Sequence, residues 1–499
     1  MIYIKPLKSV CAVLVSCILF GCAKPEDSHH DAGSTPSISF PVNPVMVPSS
    51  GGNITAAVVC DDSWAAVSQS DWITSVEPAS DNASVTFTVA ANQAASPRDG
   101  KITFSFEGSS YTKDLTVRQA ADLSTLTVSV TEVELSPEGE ERDIVIVGED
   151  WSVKSVSADW LEVKKKNSSA ITVSAPINYS GSDLNAEIVI GDAAGNSETV
   201  SVSQKYGYEL FKGASTVAGR KFVYKSSGLV TSVESDKSYR IDDNVSVLEI
   251  CYEGEVMTGS VQPTALFVYE VNLNSDVSLK TTCAFDDNSS IKTDSLHLTQ
   301  VQIMREQLMD LQDNHPEFTV LGGVNGDFFF GEHRNFLQGV VYRDGNCLKD
   351  TFDGGTTCTV FAIMDDGTAR CMTQSVYSER KSSIVEAVGG RQQVLLNGSN
   401  VSNDDTLQPR TAVGVSSDGR TVLFIVVDGR RPKWSNGASF PMMAKMFTAL
   451  GAYNAINLDG GGSSTFVTSE NGVFNTVNKV ADPTGERRVV NGIAIVKNK

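Results

Sequence analysis

The chain has 499 residues, 41% of them hydrophobic, with 40 Gly, 16 Pro and a formal net charge of −20. That is the composition of a soluble multidomain protein, with some three domains at about 150 residues each. The acidic balance excludes a phosphate-binding basic face of the kind nucleic-acid partners require, so no nucleic acid is expected.

In chain order, Lys5 and Lys8 precede an apolar run from Val10 to Phe20. It is too short to span a bilayer and has the size of a signal-peptide core. Leu19-Phe20-Gly21-Cys22 then resembles a bacterial lipobox. The resemblance implies a signal peptide over residues 1–21, lipidation of Cys22 and a polar linker over 22–36. The membrane contact is then a lipid anchor only, with the protein at the outer membrane or cell surface, facing the periplasm or exterior. Of the nine cysteines, Cys60, Cys251, Cys283, Cys347, Cys358 and Cys371 remain beyond this segment. They contain no CxxC, which argues against a zinc site, and any disulfides among them would be structural.

Next come two copies of one pattern. Trp64 is followed by Asp71-Trp72-Ile73, and Trp151 by Asp159-Trp160-Leu161. Each copy closes with an alternating strand ending in glutamine, at Leu115 to Gln119 and Val200 to Gln204. Short alternating runs such as Ser84 to Val89 and Ile171 to Ser174, without helical periodicity, predict two immunoglobulin-like all-β sandwiches over 37–121 and 122–206. Both copies resemble the BACON family, which implies carbohydrate binding. The residues themselves favour tryptophans in the core and modules acting as spacers.

A linker over 207–215 leads into a domain over 216–499. Thr264 to Leu273 reads as a strand. Leu298, Val301, Leu308 and Leu311 describe one face of a helix ending before Pro316. Ser439 and Pro441 start a second helix, Met442, Met446 and Leu450 line its face, and Gly451 stops it. With the many apolar strands around them, these helices predict an α+β catalytic domain.

Polar residues cluster at strand ends: Asn325-Gly326-Asp327, Arg410-Thr411, Asp428-Gly429-Arg430, Asp459 with Gly460, Gly461, Gly462, Ser463 and Ser464, and Arg487-Arg488 before Asn491. Scaffold edges are where sites sit. The ordered series NGDFF, EAVGGRQQVLLNG, QPRTAVG, VVDGRRP, AINLDGGGSST and RRVVNGIAIV resembles the phosphodiester glycosidase family, that of N-acetylglucosamine-1-phosphodiester alpha-N-acetylglucosaminidase. Departures are the missing proline after Gly389-Gly390, and Asp327 where relatives often have a small residue.

The resemblance implies an exported hydrolase cleaving between a sugar's anomeric carbon and a phosphodiester, with a glycan or sugar phosphate as partner. The residue types suit that chemistry. Arg410 offers a planar fork for phosphate oxygens. Gly460, Gly461 and Gly462 would free backbone N–H groups for an anion nest, aided by Ser463 and Ser464. Asp459 and Asp428 are the candidate catalytic carboxyls, with Asp459 raised in pKa by the neighbouring anion. Asn325, Gly326, Asp327, Thr411, Gly429, Arg430, Arg487 and Asn491 are candidate substrate-binding residues. Asn325 and Asn491 could equally satisfy strand-end backbone, Asp327 could be a turn residue, and only one of Arg487 and Arg488 is expected to point inward. No cofactor is identified; Asp428 and Asp459 could hold a divalent cation, although no spacing requires one. The alternative is a lipoprotein that binds a glycan or sugar phosphate without cleaving it.

Overall fold

The computed structural model describes residues 36–499, apart from 95–96, 121–125, 149, 194, 258–259 and 295. The signal peptide, Cys22 and all but the last residue of the 22–36 linker lie outside the described residues. Among those described, no helix is long and apolar enough to cross a membrane.

Each repeat folds as two facing sheets. In the first, the strands Val45–Val47, Thr112–Gln119, Arg98–Phe106 and Trp64–Ser68 form one sheet, and Gly52–Ala57, Ser84–Val89 and Ile73–Pro78 the other. Alternation along Ser84–Val89 sends Val85, Phe87 and Val89 inward, where they meet Trp64, Phe104 and Leu115 from the opposite sheet. The second repeat encloses Trp151, Ile171, Ile188 and Val200 in the same way. The closing glutamines are buried clamps: Gln119 Nε2 donates to the carbonyls of Pro48, Ser49 and Ala90, and Gln204 Nε2 to those of Ser136 and Pro176. Trp64 and Trp151 are buried, with indole N–H groups on the carbonyls of Asn82 and Ser168. Trp72 and Trp160 pack half-buried against the same cores.

The C-terminal domain is dominated by sheet. An eight-stranded sheet runs in the order Val230–Asp242, Val245–Met257, Ser260–Asn272, Thr421–Val427, Arg410–Val415, Asn454–Asn457, Gln393–Leu396, Ser399–Asn400. A five-stranded sheet carries Phe318–Asn325 between Asn491–Asn498 and Phe466–Glu470, and a second one carries Ile384–Gly390 and Thr359–Met364. The eight-stranded sheet is covered on both faces, which is why Thr421–Val427 reads as an unbroken apolar run. Leu423, Ile425 and Val427 face the helices Val217–Lys225 and Phe440–Leu450, while Val422, Phe424 and Val426 join a core shared with both smaller sheets.

The helix Phe440–Leu450 has the expected ends: Ser439 accepts from the Met442 N–H, and Gly451 closes it at φ 92°. Two expectations are corrected. The helix Met304–Asn314 contains Leu308 and Leu311, but Leu298 and Val301 precede it and Leu298 is exposed. Residues 207–215 are no free linker, because Phe211 and Ala214 are buried in the C-terminal domain's core. The six cysteines are unpaired.

Candidate active site

Two strand ends from different sheets are tied together at one point. Phe318–Asn325 belongs to a five-stranded sheet and Asn454–Asn457 to the eight-stranded one. Asn325 Nδ2 donates to the carbonyl of Asp459 at 2.6 Å, and the Asp459 N–H donates to the carbonyl of Gly326 at 2.9 Å. Asn325 Oδ1 accepts from Thr411 Oγ1 at 2.7 Å and from the Thr465 N–H. Asn491 completes the junction, its Oδ1 accepting from the Asp327 N–H at 2.8 Å and its carbonyl from the Gly326 N–H. Asn325, Thr411 and Asn491 therefore hold Asp459 and Asp327 side by side. Of the two readings of Asn325, the structure supports the backbone-satisfying one.

Asp459 is half-buried at the rim of this junction. Burial pushes its carboxyl up to about 6, against the opposing pull of the Ser463 hydroxyl, Arg487, the Gly460 amide and Arg391. Its shift thus comes from desolvation, not from like charge. The glycines make room for cations. A methyl group on Gly462 would lie 2.3 Å from Arg487 Nη2, and Gly461, at φ 64°, presents its missing side chain 3.2 Å from Arg430 Nη2. Arg430 is steadied by Gln408 Oε1, and Arg487 by Asp482 through its Nε. Arg488 is exposed, so Arg487 is the one that points inward. Ser464 Oγ, Asn457 Oδ1, Asn491 Nδ2 and Arg391 Nε are buried without a hydrogen-bond partner among the described residues. Such a cluster is prepared for polar ligand atoms rather than for packing.

Three expectations fail here for stated reasons. Arg410 is not a phosphate fork: its Nε donates to the Ala438 carbonyl and its Nη2 to that of Thr406, and it stacks on Phe440 at 4.3 Å. Strand parity accounts for this, since Thr411 faces Asn325 and its neighbour must face the other way. Asp428 is not a free base. Its carboxylate accepts from Trp434 Nε1, Asn478 Nδ2 and the Lys479 N–H, and Asn478 in turn bonds the Ser464 carbonyl. Burial raises its pKa, but its oxygens serve to brace the serine turn. The glycine N–H nest is incomplete: the Gly460 amide is turned to the Asp459 carboxyl and Gly461 is engaged elsewhere. The Gly461 N–H goes to the Pro409 carbonyl, and those of Ser463 and Ser464 close a 3₁₀ turn on Gly460 and Gly461. Gly429 packs closely on Pro409. A metal shared by Asp428 and Asp459 does not fit a carboxylate already holding three donors. Among the described residues no group of three or more His, Cys, Asp or Glu is placed to hold an ion.

Arg391 was not among the expected residues. It lies over the Phe328 ring at 5.4 Å, donates to the Gly354 carbonyl and lowers the pKa of Asp459. The signal was present: it follows Gly389-Gly390 directly, and its N–H bonds the carbonyl of Asn457.

Residues 318–496 match the phosphodiester glycosidase family. The chain carries a domain of that family. Residues 62–120 match the BACON domain. The SPbeta prophage-derived uncharacterized protein YomE of Bacillus subtilis is 32% identical over 178 residues, 32% of this chain and 25% of that protein. The mouse N-acetylglucosamine-1-phosphodiester alpha-N-acetylglucosaminidase is 29% identical over 164 residues, 29% of this chain and 31% of the enzyme. The chain thus matches only about a quarter to a third of these relatives' length. Among solved structures, the zebrafish N-acetylglucosamine-1-phosphodiester alpha-N-acetylglucosaminidase catalytic domain, auto-inhibited by its pro-peptide, aligns with 53% of this chain and 88% of its own at 19% identity and a TM-score of 0.38. Every motif of the site described above lies within or beside the matched phosphodiester glycosidase segment.

Proposed function

We propose that this protein hydrolyses the bond between a sugar's anomeric carbon and a phosphodiester, releasing free sugar and a phosphomonoester. One observation carries the reading: a half-buried carboxyl, Asp459, sits beside a glycine turn that admits Arg430 and Arg487, with Arg391 on its other flank. An anionic substrate meets fixed planar cations, and the carboxylate faces the neutral sugar end. The phosphate leaves readily as a monoester with a second pKa of about 6, so strong acid assistance to departure is not demanded. What is needed is a carboxylate that activates water against an oxocarbenium-like centre. Asp459 supplies it in its ionised form.

The relatives bearing an enzyme's name act on N-acetylglucosamine-1-phosphodiesters, and that sugar is our proposed first substrate. We place the protein at the outer membrane or cell surface, anchored by lipid on Cys22, with the two sandwiches as immunoglobulin-like spacers. The test is incubation of the chain from Ala23 onward with an alpha-N-acetylglucosamine-1-phosphodiester. Free sugar should appear with the native protein and not with Asp459→Asn. Sugar release by both proteins would remove Asp459 from the mechanism.

A further inference from the structure

We propose that Asp327 is the second carboxyl of the reaction centre, a positioning residue that holds a proton beside Asp459 and so keeps Asp459 as the single anion of the pair. The inference rests on the reading of Asp459 as the water-activating base. Its grounds are geometric. Asp327 is 2% exposed, and its backbone is fixed by Asn491 on one side of the Gly326–Asp459 hydrogen bond. Its carboxyl fills a notch between two glycines: a methyl group on Gly389 would lie 2.5 Å from Asp327 Oδ2, and one on Gly339 3.0 Å. Oδ2 accepts from the Gly339 N–H at 2.8 Å, while Oδ1 is buried without a well-formed hydrogen bond among the described residues, the Phe328 amide being near the carboxyl. Ionising that group would place a charge in a desolvated notch where only backbone amides stand close and no side-chain donor bonds it.

The charges around it point the same way. Facing Asp327 are Lys349, Asp459 and the Cys358 thiol, with Arg391 nearby at Gly354. Lys349 is already engaged by the Thr351 carbonyl and hydroxyl and by Asp353. Burial pushes Asp327 up to about 7, against the Gly339 amide, Lys349 and the Phe328 amide, with the Asp459 charge adding to the rise. Asp327 is the more deeply enclosed of the two, 2% exposed against a half-buried Asp459, so the proton of the pair rests on Asp327.

In the step itself, water attacks the anomeric carbon, the electron pair of the carbon–oxygen bond leaves on the phosphate oxygen, and Asp459 takes the proton from water. Asp327 keeps its proton throughout. Above neutrality it loses it, and a second buried anion then faces an anionic substrate.

The experiment compares native protein with Asp327→Asn, which imitates the neutral acid. In kcat/KM profiles, the native protein should fall off above about pH 7, whereas the variant should keep its activity there, several-fold above native at pH 8.5 or so. Parallel profiles would overturn the proposal. Thermal midpoints without substrate give a reading that does not depend on turnover: the proton held by folded Asp327 is lost from the unfolded chain at about pH 4, so the variant should gain on the native protein as pH rises from about 4 to about 7. A constant difference would also overturn it. If the variant fails to fold, infrared spectra of the native protein decide, by loss of a carboxylic-acid carbonyl band centred at about pH 7. Absence of sugar release by native protein at every pH would count against the hydrolase reading, while midpoints and spectra would still decide where the proton resides.

Discussion

At the residue scale, the site depends on which side chains keep free polar atoms. Arg487 has its Nε on Asp482 and turns its Nη2 toward Gly462. Arg487→Ala should raise KM for a phosphodiester tenfold or more, about 1.4 kcal/mol per factor of ten, with little change in thermal midpoint. Asp428→Asn should behave oppositely. The amide loses acceptor capacity where three donors converge, so a stability loss of about 1–3 kcal/mol is expected, measured by denaturant titration, with turnover reduced far less than by Asp459→Asn. Asp459 also predicts a pH dependence. Its folded value of about 6 lies above the roughly 3.9 of an unfolded aspartate. Its contribution to stability is therefore full at low pH and is lost as pH rises from about 4 to about 6. Turnover runs the other way, with an acid limb centred near 6 because the anion is the active form. The residue types of this site were legible in the sequence, but their directions were not. Arg410 and Arg391 stand equally close to their motifs, and only pairing of Arg410's strand with its neighbours shows that its side chain faces Phe440.

At the scale of elements, the turn Gly461–Ser463 works through what it lacks. Gly462→Ala would drive a methyl group into Arg487 and should reproduce most of the KM increase of Arg487→Ala. A KM unchanged from native would show that the arginine does not approach substrate through this gap. The short helix Phe440–Leu450 could be read from its caps, since Ser439, Pro441 and Gly451 each act locally. The start of Met304–Asn314 could not. Ile303 stands at its N-cap in extended conformation with no side-chain cap, and Leu298 and Val301 happen to continue the helical spacing upstream. Sheet order was equally hidden, because the partners of Phe318–Asn325 come from residues more than a hundred positions further along the chain.

At the scale of the whole molecule, the first sandwich has its own core, whereas the second is docked on the C-terminal domain. Arg220 donates to the carbonyls of Tyr179 and Ser180, and Tyr179 packs on Phe211. This junction explains why residues 207–215, polar enough to suggest a spacer, are buried. Removing residues 36–121 should leave the C-terminal domain's midpoint in scanning calorimetry unchanged. Removing the second sandwich as well should lower it, by uncovering Phe211 and taking the Tyr179 and Ser180 carbonyls from Arg220. The repeat itself was legible, because two tryptophans and a terminal glutamine recur where each sandwich needs a core centre and a clamp.

The most direct measurement follows the oxygen of water during hydrolysis of an alpha-N-acetylglucosamine-1-phosphodiester in heavy-oxygen water. The account predicts label in the released sugar and none in the phosphomonoester, since water activated by Asp459 attacks the anomeric carbon. Label in the phosphate would mean attack at phosphorus, and would contradict it.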